Sequence, residues 1–134
     1  MITFTIGLGC DRGTSLATVR KAVEVALALA NAAPEQVVAA ASITLKMDEA
    51  ALLALVQEQE WPLRFYPPEQ LAAVPVPHPS ETVRHYTGTP SVSEAAALLA
   101  AGPGTTMDAL VVEKYKHRGE DGRNATVSIA RKSK

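Results

Sequence analysis

Aromatic side chains make up only 4% of this chain, and cysteine occurs once, at Cys10. With so few rings, alanine, valine and leucine must do the packing within a composition that is 47% hydrophobic. One thiol cannot close an internal disulfide, which suits a reducing compartment. No apolar run approaches the ~20 residues that span a bilayer, and the start carries no secretory pattern. The expected location is therefore cytoplasmic, with no membrane partner. A formal net charge of -1 gives no reason to expect a nucleic-acid partner. Also missing are a Cys/His cluster with zinc-ligand spacing, a G-x-S-x-G elbow and the Lys-Ser or Lys-Thr pair that closes a phosphate loop. Neither a metal nor a cofactor is expected.

What is present is organised around Gly7-Leu8-Gly9-Cys10-Asp11-Arg12-Gly13-Thr14-Ser15. A β-rich run, Ile2 to Ile6, precedes it, and Leu16 to Asn31 follows with apolar residues at helical spacing. A glycine-rich turn between strand and helix is a ready anion site, because free N–H groups of the helix start point outward. Thr14 or Ser15 can supply the N-cap oxygen. The glycine spacing is one residue too long for the dinucleotide fingerprint. A tight turn with no ligand remains the competing explanation.

At 134 residues the chain reads as one domain with a proper core. Val37 to Ser42 reads as a buried parallel strand, and Ile43 to Met47 as a loop carrying Lys46. Asp48-Glu49 opens the next helix, which ends near Gln59 before Trp61-Pro62. Leu63 to Tyr66 is a short strand, and Pro68 starts a brief helix. Pro75 to Pro79 holds three prolines and must be extended. Ser80 caps a turn or two of helix. Ser91-Val92-Ser93-Glu94 is a capping box opening an alanine-rich helix that stops at Gly102-Pro103. Ala109 to Tyr115 reads as a central strand, and Ala125 to Arg131 alternates like a half-exposed one. The pattern predicts an α/β fold: a mixed, mostly parallel sheet, helices on both faces and a C-terminal hairpin.

Ligands in such folds sit beyond the carboxyl ends of the strands, where four loops should converge. Their polar inventory is Cys10, Asp11, Arg12, Thr14, Ser42, Lys46, Asp48, Glu49, Ser91, Ser93, Glu113 and Lys114. Cations, hydroxyls and helix starts together describe a site for carboxylates or phosphates. Residues 113–134 hold seven basic and three acidic side chains, against six and eleven in residues 1–112. Either a solvated tail or a basic rim beside a polyanion site explains that asymmetry. Cys10 lacks an evident base, so a contact role is expected rather than nucleophilic use.

The opening motif Gly7–Thr14 resembles that of the CobE family, shared with the C-terminal domain of CbiG. Ala40-Ala41-Ser42-Ile43, Leu45-Lys46, Asp48-Glu49, Pro79-Ser80, Ser91–Leu99 and Ala125–Arg131 agree with it in order. One departure is Asp11, where the family usually has a basic residue. The resemblance implies a place in cobalamin biosynthesis, with a corrin or precorrin as ligand and other enzymes of that pathway as possible partners. CbiG opens a δ-lactone on a cobalt-precorrin and releases acetaldehyde; the stand-alone CobE type belongs to the aerobic route. The expected ligand contacts are Gly9, Cys10, Asp11, Arg12, Gly13, Thr14, Ser42, Lys46, Glu49, Ser91 and Lys114. A carrier or accessory module is expected first, a precorrin lactone hydrolase second, and a phosphate or nucleotide binder third.

Overall fold

The computed structural model describes residues 2–132. Its strands are β1 (Thr3–Cys10), β2 (Val37–Ile43), β3 (Leu63–Tyr66), β4 (Leu110–Arg118) and β5 (Asn124–Lys132). Its helices are α1 (Leu16–Leu29), α2 (Ala50–Gln59), α3 (Pro68–Ala72), α4 (Glu81–Thr87) and α5 (Val92–Ala101). The strands form a single five-stranded sheet in the order β3-β2-β1-β5-β4. β2 runs parallel to both β1 and β3, while β5 is antiparallel to β1 and β4. Only β5 is therefore reversed, which makes the sheet mixed and mostly parallel. β4 and β5 form the C-terminal hairpin.

Alternation along β1 assigns its two faces. Phe4, Ile6 and Leu8 join Val19, Val23, Leu27, Leu52 and Leu55 of α1 and α2 in the larger core. On the other face, α5 lies against the sheet with Ala95, Ala96 and Ala100 packed on Ala41, Ile43 and Leu71. Small side chains let α5 approach closely. Gly7 shows how closely: a Cβ built there would stand 1.8 Å from the Ser93 carbonyl oxygen. Thr5, on the same face, donates its hydroxyl to the Ala97 carbonyl at 2.8 Å.

Three sequence expectations are corrected. Gly7 and Gly9 belong to β1 rather than to a turn, because the strand runs on to Cys10 and needs room for α5. β4 is an edge strand, not a central one: Val112 enters the core while Val111 faces solvent. β5 takes the inner place and is not half-exposed. Its Ser128 is fully buried against α5, where the hydroxyl bridges Ser93 Oγ at 2.9 Å and the Glu113 carbonyl at 2.6 Å. A polar residue with both partners supplied sits inside as readily as an apolar one. Alternation alone does not distinguish that arrangement from solvent exposure.

Candidate functional site

Beyond the carboxyl ends of β1 and β2, the chain encloses a cavity of about 570 Å³. β1 contributes Gly9 and Cys10, and the following bend contributes Asp11 and Arg12. Lys46 enters from the loop after β2, Ser91 and Ser93 from the start of α5, and Lys114 and Lys116 from β4. Thr126 and Asn124 of β5 close one side, and α4 forms a wall with Thr82, Val83, Tyr86 and Thr87.

The cations differ in what holds them. Arg12 is committed to its own chain: Nη1 is 2.8 Å from Asp48 Oδ1, and Nη2 donates to the Leu45 carbonyl at 2.7 Å. Glu49 Oε1 lies 3.3 Å from the same Nη1. Lys46, Lys114 and Lys116, by contrast, are in no ion pair among the described residues. These three ammonium groups, from two separate segments, are what an anionic ligand would meet.

The expected anion cradle is filled from within. Gly13 donates its N–H to Glu49 Oε2 at 3.1 Å, and Ser15 donates its own to Asp121 Oδ2 at 3.0 Å. Two of the chain's carboxylates thus occupy the donors that the glycine-rich bend offers. Asp11 accepts from the Asn124 backbone N–H at 2.7 Å and from its side-chain amide at 3.2 Å. It fastens the end of β1 to β5.

Of the residues expected at the site, Gly9, Cys10, Asp11, Arg12, Lys46, Ser91 and Lys114 line the cavity. Gly13, Thr14, Ser42 and Glu49 do not line it: the last three are buried and Gly13 is exposed. Thr14 donates its hydroxyl to the Asp11 carbonyl at 2.5 Å. Ser42 is fully buried and donates to the Leu8 carbonyl at 2.6 Å, joining β2 to β1. The capping box also differs from expectation. Ser91 makes no bond to a backbone N–H; its hydroxyl donates to Glu94 Oε1 at 2.8 Å, because Glu94 is fully buried and needs a donor. None of His78, His85 and His117 lines the cavity.

Sequence reasoning missed Lys116, Thr126 and the α4 wall. Lys116 was detectable, since Lys114 and Lys116 stand two apart on a strand and so share a face. Their neighbours Tyr115 and His117 stack on each other on the opposite face, with centroids 6.5 Å apart. Nothing in the sequence pattern of Glu81–Thr87 indicates that this helix faces a cavity.

Cys10 is half-buried, and its thiol is pushed up from 9.0 to about 11, chiefly by burial and next by the charge of Glu49. Such a thiol is protonated and unreactive at neutral pH. Among the described residues no cluster of histidine, cysteine and carboxylates has the makings of a metal site.

The family described as cobalamin synthesis G C-terminus matches residues 4–130. This chain belongs to that CobE/CbiG C-terminal family of cobalamin biosynthesis. It is 38% identical to the cobalt-precorrin-5A hydrolase of Priestia megaterium over 93% of its own length, but over only 31% of that protein. It is 40% identical to protein CobE of Sinorhizobium sp over 72% of its length and 64% of that relative. The chain thus spans about a third of the hydrolase and somewhat under two thirds of CobE. The crystal structure of CobE, a protein from the cobalamin (vitamin B12) biosynthetic pathway, superposes with a TM-score of 0.78 at 32% identity. That match covers 97% of this chain and 90% of the CobE chain. Among the described residues, no helix of this family member is long and apolar enough to cross a membrane.

A second depression, of about 650 Å³, lies between the start of α1 and the hairpin. Of its lining carboxylates, Asp121 is held by the Ser15 and Arg123 N–H groups, which makes it a joint between elements. The cavity under α4 combines lysines that are in no ion pair among the described residues with apolar walls, and it is the candidate site.

Proposed function

We propose that the chain binds a corrin precursor of cobalamin biosynthesis and holds or hands it on without altering it. The observation that carries this reading is the set of three lysines, Lys46, Lys114 and Lys116, that line one cavity and are in no ion pair among the described residues. Precorrins are flat, largely apolar rings edged with carboxylates, so both the cations and the apolar residues Ile43, Val83 and Val92 have a counterpart. The family supports the same ligand class. Its pathway enzymes are the proposed source and destination of the ligand, and the cytoplasm is the proposed setting.

A second reading, hydrolysis of a precorrin lactone, is favoured by the likeness to the hydrolase. A lactonase needs a base for water and a stabiliser for the oxyanion. The carboxylates nearest the cavity are engaged elsewhere: Asp11 with Asn124, Asp48 and Glu49 with Arg12 and Gly13. That engagement supports the carrier.

The test is titration of the purified protein with a metal-free precorrin, followed by its visible absorption, and incubation with a lactone-bearing precorrin, followed by an acetaldehyde assay. Saturable binding that weakens with salt, with the ligand recovered unchanged, is expected. Acetaldehyde released at a catalytic rate and lost in Glu49→Gln would establish the hydrolase instead. Binding of nucleotides with no response to precorrins would sink both readings.

A further inference from the structure

The cavity's outer wall, α4, touches the core through Val83 alone among the described residues. Its seven residues include none that is fully buried. Tyr86 lines the cavity yet is 76% exposed, its ring edge-on to His85 at 5.0 Å. A single short helix with so little packing has small stability of its own. It follows the proline-rich Pro75–Pro79 arm and ends at Gly88, whose φ of 83° is left-handed. Gly88 is thus the natural place for the stiff arm and helix to pivot.

Val76 of the arm and Val83 of α4 rest half-buried against the core, and three hydrogen-bonded contacts hold the rest of this segment down. Ser80 donates its N–H to the Pro90 carbonyl at 2.8 Å, which ties the segment's two ends together. His78 Nε2 stands 2.7 Å from Glu113 Oε1, and Lys114 Nζ donates to the His78 carbonyl at 3.1 Å. The last two reach β4, and they do so through the strand that also supplies cavity cations. Lys114 lines the cavity while holding the arm, and an ammonium has three protons to share.

We propose that α4 and its arm form a lid over the cavity, latched at His78, which brings Tyr86 against the face of a flat polycarboxylate ring. The Tyr86 half rests on the binding reading above; the latch does not. A carboxylate on Lys114 draws that ammonium into a bridge between ligand and arm, so occupancy and closure favour each other. The remaining lysines hold the ring's edge, and Tyr86 covers a face that the apolar wall leaves open.

Hydrogen exchange on the free protein tests the latch. Amides of 81–87 should exchange faster than those of α1 and α5, and Glu113→Gln should speed them roughly two- to fivefold further, with the cores unchanged. Amides of α4 as slow as those of α5, or indifferent to Glu113→Gln, would overturn it. Titration with uroporphyrin, a flat ring with eight carboxylates, tests Tyr86. Binding should slow exchange of 81–87. Tyr86→Ala should weaken binding roughly five- to tenfold, and Tyr86→Phe less than about twofold. Equal binding by Tyr86→Ala would refute the stacking role. Absence of uroporphyrin binding by the wild-type protein would refute it too and count against the binding reading, while the exchange result on the free protein would still decide the latch.

Discussion

Arg12 and Asp48 are joined at 2.8 Å across the mouth of the site, so the guanidinium nearest the cavity serves as a clamp between loops. The pair accounts for the lowered Asp48 carboxyl, which is stabilised first by the hydrogen bond from Arg12 and then by its charge. Arg12→Ala should therefore loosen residues 44–49, seen as faster amide exchange there, and affect ligand affinity only through that loop. Because the Asp48 carboxyl is depressed, its contribution is present above about pH 4 and disappears as pH falls through the folded value. An affinity loss in Arg12→Ala as large as in Lys46→Ala, with the loop unperturbed, would contradict the clamp.

Lysine substitutions should separate the true ligand contacts. Lys46→Ala, Lys114→Ala and Lys116→Ala each remove one partly solvated cation, worth about 0.2–1 kcal/mol, or up to about fivefold in affinity. The triple variant should lose more, and the salt dependence of binding should flatten with each removal. Isothermal titration at two ionic strengths measures both. A triple variant that keeps wild-type affinity and salt slope would leave the cavity without its role.

Close packing of α5 predicts a severe effect from the smallest possible change. Gly7→Ala forces a methyl into the Ser93 carbonyl, and neither backbone can yield without moving α5 or β1. The expected loss of stability is about 1–3 kcal/mol or more, the range for overpacked cores. Chemical denaturation would show it as a lowered midpoint with little change in slope.

The same glycine explains what the sequence made legible and what it did not. Strand and helix existence followed from periodicity: β3 matches Leu63–Tyr66, and α5 runs from Val92 to Ala101 as its alanine pattern and Gly102 stop predict. The role of Gly7 did not follow, because a glycine before a helix fits a turn and a close helix crossing equally well. Ser128 was misplaced for a related reason, since burial depends on partners 35 residues away. At the site, the bend at Asp11–Arg12 and the lysines at 46 and 114 were legible as charge near strand ends. That the bend's own N–H groups were already taken by Glu49 and Asp121 was not, because those pairings join distant segments.

Cys10 gives the last prediction, and its sign follows from the direction of its shift. Burial, then Glu49, raises the thiol from 9.0 to about 11, so at pH 8 the folded protein holds roughly a hundredfold less thiolate than an ordinary cysteine would. Iodoacetamide labelling at pH 8 should be slower in the folded protein by about that factor. Glu49→Gln removes only the second cause, so labelling should quicken partially while burial still dominates. A raised folded value also means that the protonated thiol favours the fold. That contribution is present below about pH 9 and lost as pH rises towards 11. Denaturation from pH 8 to pH 11 should therefore show a decline in wild-type stability that is shallower in Cys10→Ser. The serine variant should also bind the corrin precursor as the wild type does. Rapid labelling at pH 8, or loss of a covalent intermediate in a folded Cys10→Ser protein, would restore the nucleophile reading and, with it, the hydrolase.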